Sequence, residues 1–270
     1  MVEISKKYRI GVKKFGLVNW IGSTTLYKKE VQRFLVVWIQ TLLSPIVSSL
    51  LFLLVLSLAI GNTRSNMLGV PFISFLAPGL IAMQVIGGSF NHSSSTFMMG
   101  KVQGNIVDIL YAPLSAAEVT LAINLAATTR SFMIVIISIF IFYFLIDIEI
   151  KNYYSLIFYA FISSFILSSV GIIAGLWAEK FDNLASITNF LIVPLSFLSG
   201  TFYTIDKLPQ SLQIVSKCNP FFYMIDGMRY SFLLKSDGSV FIGTIYLIVL
   251  AMALWFVSYL LYKKGYKIKS

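Results

Sequence analysis

The chain has 270 residues, of which 57% are hydrophobic and only 12% charged, and its mean hydropathy of +0.84 leaves more apolar surface than one soluble core can hide. It reads as an all-α integral membrane protein, because its apolar runs are continuous, whereas a transmembrane barrel would alternate apolar with polar residues. A net charge of +10 would suit nucleic acid in a soluble protein, but in a membrane chain the placement of charge sets topology, and the single Cys218 excludes an internal disulfide or a multi-thiolate metal site.

Eight Lys or Arg residues precede the first apolar run, which begins near Phe34, so that run is expected to be a retained span and not a cleaved signal. Within this basic stretch, GSTTLYKKEVQR (22–33) mixes Leu26, Tyr27 and Val31 with basic side chains. A short helix lying on the inner leaflet suits that pattern, with a solvated basic tail as the alternative. Six spans follow, at 34–60, 72–97, 117–146, 153–177, 184–203 and 241–262. With a cytoplasmic N-terminus, 14 of the Lys and Arg residues fall inside, six fall outside and Arg130 lies within a span. The positive-inside rule then places both termini in the cytoplasm. The chain divides into a cytoplasmic segment 1–33 with its interfacial helix, one transmembrane domain 34–262 and a cytoplasmic tail 263–270.

The inner half of the second span, GGSFNHSSST, is small and polar and is expected to face protein. His92 within it reads as a packed neutral imidazole, with no carboxylate near it in sequence. After that span comes MMGKVQGNIVDILYAPL (Met98 to Leu114), only moderately apolar. On a helical wheel, Val102, Ile106, Ile109 and Leu110 share an arc of about 100°, while Lys101, Gly104, Asn105 and Asp108 gather on another face. The pattern predicts one amphipathic helix stopped by Pro113; an ordinary loop helix resting on the bilayer fits equally.

Arg130 lies roughly 20 Å into the third span, where insertion costs about 2.5 to 3.5 kcal/mol. Glu118, about 18 Å away on the same helix, is out of reach, so a group on another helix must meet the guanidinium. A structural arginine bound to carbonyls or amide side chains and an arginine that contacts substrate both remain open. Between the last two spans, Thr204 to Val240 contains FFYMIDGMRYSFLL, too short to cross, which reads as interfacial or re-entrant helices on the outer side. Phe202, Tyr203, Tyr223 and Tyr230 gather there, either as interfacial anchors or as faces that guide a sugar or acyl chain.

MGKVQGNIVDILYAPLS resembles the cytoplasmic coupling region of permease subunits of ABC-2 type exporters. KKEVQRF (Lys28 to Phe34), WIQTLLSP (Trp38 to Pro45), APGL (Ala77 to Leu80), KFDN (Lys180 to Asn183), PLSFLSGTFY (Pro194 to Tyr203) and NPFFYMIDGMRY (Asn219 to Tyr230) continue the resemblance in family order. It implies two paired six-span permeases, each engaging a separate cytoplasmic ATPase through the coupling helix. Lys101, Gly104, Asn105, Asp108, Leu110 and Pro113 would couple, with Lys28, Lys29, Glu30 and Arg33 on the interfacial helix beside them. Lys180 and Asp182 would form a second inner contact. Family members often carry a basic residue where Gly104 stands, which shifts the expected ionic contact to Lys101.

The sequence has no G-x-x-x-x-G-K-[ST] phosphate loop, so ATP and magnesium are expected on the partner and the chain is expected not to be an enzyme. The resemblance implies an exporter in the inner membrane of a prokaryote. A lipid-linked glycan or other glycolipid is the preferred cargo, a drug or peptide the alternative, and Arg130, Phe202, Tyr203, Tyr223 and Tyr230 are candidates for its path. A membrane transferase lacks a convincing carboxylate or histidine pair, and an ion-coupled transporter lacks intramembrane carboxylates.

Overall fold

The computed structural model describes residues 16, 18–60, 66–146 and 148–268. The basic positions of 1–15, Arg64, and the last two residues of the tail lie outside them. The helices are α1 (Trp20–Val36), α2 (Ser44–Ile60), α3 (Phe72–Val102), α4 (Ile106–Tyr111), α5 (Ala116–Ile146), α6 (Tyr153–Trp177), α7 (Phe181–Ile187), α8 (Val193–Leu198), α9 (Gln210–Cys218), α10 (Pro220–Leu233) and α11 (Val240–Lys263). Two π turns, Ile39–Leu43 and Thr188–Ile192, lead into α2 and α8. The strands β1 (Asn66–Met67) and β2 (Val70–Pro71) form a small antiparallel hairpin before α3, with Met67 opposite Val70.

Among the described residues, six helical segments are long and apolar enough to cross a membrane: Ile39–Ala59, α3, α5, α6, Phe181–Leu198 and α11. The sequence-based spans coincide with these, and the differences fall at their ends. The first span starts at Ile39 because the chain leaves helical geometry at Val37. The second continues to Val102 because its serines and threonines bury against protein, and the fifth ends at Leu198 in a turn at Gly200, where φ is +75°. α3 has 31 residues, about 46 Å of rise, longer than a hydrocarbon layer of about 30 Å.

α3 and α6 form the centre: 72% and 67% of their apolar windows are buried, against 22%, 17% and 17% for the first, fifth and sixth spans. Close approach explains this. Gly171 and Gly175 lie four apart on α6, and a Cβ there would stand 2.6 Å from the Phe90 carbonyl oxygen and 2.7 Å from that of Ser94. The small-xxx-small spacing lets the backbones touch. Polar side chains then join α3, α5 and α6. Ser89 bonds Ser131 at 2.7 Å and Ser164 at 2.8 Å, Ser93 bonds Ser168 at 2.5 Å, and Ser168 donates to Asn124 Oδ1 at 2.5 Å. Each such interhelical bond is worth about 0.6 kcal/mol. The polar half of the second span thus faces protein, and His92 is buried within it.

At the end of the bundle formed by α9 and α10, buried Arg229 donates to the Gly200 carbonyl at 2.8 Å and stacks 3.8 Å from the centre of the Phe75 ring. Asp226 accepts the Asp237 and Gly238 amides at 2.8 and 3.0 Å, and Arg229 Nη1 lies 3.7 Å from the Asp237 carboxylate. Burial pushes the Asp237 carboxyl up to about 6 against the pull of Arg229, with Asp226 and Asp206 adding to the rise. A folded-state pKa above the ordinary carboxylate value means that the native state binds this proton more tightly than the unfolded chain does. The stability that follows is full below the unfolded pKa and is lost as pH rises through about 6. Thermal unfolding in detergent is therefore expected to show a falling midpoint between about pH 4 and pH 7, and D237N to flatten most of that slope. An equal slope in D237N would refute the assignment.

Candidate functional site: the end of the bundle formed by α1 and α4

The segment read as one amphipathic helix is divided. α3 runs on to Val102, the chain turns at Gly104 with φ +73°, and α4 is a separate six-residue helix. Gly104 adopts the left-handed conformation without the steric penalty of a Cβ, which interrupts the wheel. Ile106 turns inward and Ile109 is half-buried, while Val102, at 62% exposure, and Leu110 face outward in place of the expected shared apolar arc. A basic residue at 104 would be strained, which accounts physically for the glycine. Pro113 follows α4 and stops it.

α4 is tied to the starts of α1 and α5. Asn19 Oδ1 caps α1 by accepting the Gly22 amide at 2.9 Å, and its Nδ2 donates to the Pro113 carbonyl at 2.9 Å. The Asn19 amide donates to Glu118 Oε1 at 2.5 Å, while Glu118 Oε2 accepts the Ser115 amide at 2.6 Å. Ser115 Oγ in turn accepts the Glu118 amide at 3.3 Å. Ser115-Ala-Ala-Glu118 is thus a capping box, a Ser-x-x-Glu pattern visible in the sequence ahead of an apolar run. A groove of about 340 Å³ lies between the elements, with Ile21, Thr25 and Lys29 on one wall and Asp108, Ile109 and Pro113 on the other.

Gly104, Asn105, Asp108, Leu110 and Pro113 are all exposed, and Val107 and Tyr111 extend the apolar surface, Tyr111 at 86% exposure. Lys101 differs: its half-buried ammonium donates to the Leu176 carbonyl and, at 3.0 Å, to that of Ala178, closing the end of α6. On α1, Lys28 and Lys29 face outward while Glu30 and Arg33 face α3. Arg33 donates to Glu30 at 2.9 Å, Ser95 at 3.1 Å, the His92 carbonyl at 2.9 Å and Thr96 at 2.6 Å. Lys180 and Asp182 are exposed at the start of α7, beside Glu179, which pairs with Lys267 at 2.8 Å. That pair holds the Glu179 carboxyl below its ordinary value through the hydrogen bond and charge of Lys267.

The candidate path residues do not meet at one point. Arg130 is buried and donates to the Thr41 carbonyl at 3.0 Å, whereas Phe202 packs between Phe52 of α2 and Phe197. Thr41 and Phe52 are about 16 Å apart along the helix. Tyr203 donates to the Phe197 carbonyl at 3.2 Å, Tyr223 packs on Phe222 and Tyr246, and half-buried Tyr230 sits further along α10. Among the described residues, no group of three or more His, Cys, Asp or Glu is placed to hold a metal.

A bundle of six apolar spans with a short exposed helix tied across two of them has a counterpart in known sequences: the model of the family described as ABC-2 type transporter matches residues 23–233. The chain belongs to that family. The ABC-2 match covers the α1–α4 site, all but the last span, and α10. This permease is 28% identical over 251 residues to the inner membrane transport permease YadH of Escherichia coli strain K12, covering 93% of this chain and 98% of that one. It is 24% identical over 220 residues to nodulation protein J of Neorhizobium galegae, covering 79% and 81%, and 23% identical over 213 residues to that of Rhizobium meliloti, covering 78% and 80%. It is the permease of an ABC transporter.

Proposed function

We propose that this ABC-2 permease is the membrane half of an ATP-driven exporter, paired as two copies, that moves an amphiphile outward when a separate ATPase closes on α1 and α4. The observation that carries the reading is α4 itself. It is a short helix set off by Gly104 and Pro113, exposed along Val107, Leu110 and Tyr111, and hydrogen-bonded through Asn19 and Glu118 to two long helices. An exposed apolar patch of this kind suits a protein partner, and its attachments make it a lever. Lys28, Lys29, Lys180 and Asp182 flank it, and ATP and magnesium belong to the partner.

The positive-inside bias supports both termini and α4 in the cytoplasm, and the similarity to the inner membrane transport permease YadH of Escherichia coli supports an inner membrane location. The first, fifth and sixth spans carry most of the exposed apolar surface, which supports a second copy as partner. Half-buried Phe202, Tyr203, Tyr223 and Tyr230 at the far end favour a lipid-linked glycan or glycolipid over a drug or peptide, because aromatic faces accept both sugar rings and acyl chains.

The test is co-expression with candidate ABC ATPases from the same genome. Copurification as a two-plus-two complex whose ATPase rate depends on the permease is expected. A purified permease that transports without any ATPase overturns the reading.

A further inference from the structure

The two broken spans share a construction. In each, a proline stands six residues after the first residue of the π turn, Pro45 after Ile39 and Pro194 after Thr188. A proline has no amide to give, and it stands where the π register (the Ser44 amide reaching Ile39, the Val193 amide reaching Thr188) returns to the α register. The carbonyl five residues before it therefore lacks a π donor, and the carbonyl four before it, Thr41 in one span and Phe190 in the other, lacks an α donor. What meets those carbonyls differs. Arg130 reaches from α5 and donates to Thr41 at 3.0 Å, whereas among the described residues no side chain donates to Phe190. The Thr41 hydroxyl, in turn, lies 2.8 Å from the Phe34 carbonyl and 3.0 Å from that of Val37, as a donor to the frayed end of α1.

Two arginines thus meet the bend. Arg33, just before it, is bonded to α3 through Ser95, Thr96 and the His92 carbonyl, and Arg130 reaches its middle from α5. Phe34, Leu42, Ile46 and Ile134 fill the inside of the bend. Glu30 is engaged by Arg33 and Thr96, so Arg130 has no carboxylate among the described residues, and its Nε is unpartnered. Thr41 is only the third residue of the first span, so Arg130 acts near the end of that span that joins α1 and not at mid-membrane depth. Even there, burying a charge for one carbonyl costs more than an ordinary hydrogen bond returns, unless that carbonyl would otherwise be orphaned.

We infer that Arg130 is a positioning residue which stands in for the amide that Pro45 lacks, so that α1 and α2 move as one bent, rigid arm. The inference rests on the reading of α1 and α4 as the ATPase seat: a push on α1 reaches α3 and α5 directly through Arg33 and Tyr27, but reaches α2 only if the bend does not yield. The turn before α8 is the contrasting case, with no side-chain donor to Phe190 among the described residues.

The test uses the whole permease with its ATPase in lipid nanodiscs, with Cys218 replaced by serine and spin labels at Q32C and V55C, both exposed positions on the two arms. The distance distribution between labels within one copy, with labelled copies diluted by unlabelled ones, reads the bend directly. Vanadate-sensitive ATP hydrolysis reads coupling. A single narrow distance is expected with native Arg130, and a broad one in R130M, together with a loss of about tenfold in permease-dependent hydrolysis. R130K, whose ammonium can serve the same carbonyl, is expected to stay within about threefold of the native rate.

The decisive variant is R130M with P45A, which returns a backbone amide to the turn that carries Thr41. A narrow distance and restored hydrolysis are expected there, and if R130M alone fails to fold, the double variant is expected to recover folded, active complex. A narrow distance in R130M, or a double variant that recovers neither property, overturns the inference; the second outcome would fit an arginine that contacts cargo. A native complex with no permease-dependent hydrolysis at all counts against the proposed function and leaves the distance test of the bend standing.

Discussion

Replacing Gly175 with leucine is expected to leave no folded permease in detergent extracts, and G175A to fold with a lower unfolding midpoint. The sign at alanine is not set by helix propensity, which favours alanine over glycine by about 1 kcal/mol. It is set by contact. A Cβ at 175 would stand 2.7 Å from the Ser94 carbonyl oxygen and 3.1 Å from both the Ser94 Cα and the Phe97 Cβ, and these are backbone and buried atoms with nowhere to go. α3 and α6 must part, which stretches the bond between Ser93 and Ser168 and the one from Ser168 to Asn124. Overpacking of this kind costs about 1–3 kcal/mol for a few added atoms, and each interhelical bond lost adds about 0.6 kcal/mol. Leucine exceeds what a parting of a few tenths of an ångström can absorb. Fluorescence-detected size exclusion and thermal unfolding would check both variants, and a G175L protein with native elution and midpoint would refute the argument.

The same pair of helices shows why the spans were legible and their joints were not. Continuous apolar runs fix where α5, α6 and α11 lie to within a residue or so, because the length needed to cross hydrocarbon is set by geometry alone. The polar stretch GGSFNHSSST was also readable, since serines in a span must find partners on other helices, and Ser89 and Ser93 do. The division of Met98 to Leu114 was not, although Gly104 stood in view: whether a glycine breaks a helix depends on whether a left-handed turn is useful there, and only the packing of Ile106 against α3 and α5 decides that. Arg130 needed a partner on physical grounds, yet its partner is a backbone carbonyl 89 positions earlier in the chain, and a carbonyl carries no mark in sequence. Pro45 was the sole sign that one was orphaned. Asn19 was missed because its partners, Pro113 and Glu118, are brought near only by the fold.

Substitutions on α4 are expected to separate assembly from coupling. Asn105 and Asp108 are exposed, and Asp108 makes no side-chain bond among the described residues, so N105A and D108A should alter permease stability by no more than about 0.5 kcal/mol. Leu110 and Tyr111 present the larger apolar area, Tyr111 being 86% exposed, and a tyrosine at the centre of an interface carries about 2 kcal/mol or more, roughly thirtyfold in affinity. Y111A is therefore expected to weaken copurification of the ATPase. N105A with D108A is expected to keep the complex and lose the rise in hydrolysis on addition of cargo, because these two polar groups lie at the first turn of α4, between Gly104 and the groove wall that carries Lys29. The link from the Pro113 carbonyl, just past the other end of α4, to Asn19 and on to Glu118 is untouched by either change, so a lost response would locate the fault at the contact with the ATPase and not in the lever behind it. Pull-down and hydrolysis assays on the same preparations distinguish the two outcomes. Unchanged hydrolysis in N105A with D108A would remove these residues from the coupling contact, and unchanged copurification in Y111A would move the seat away from the exposed face of α4.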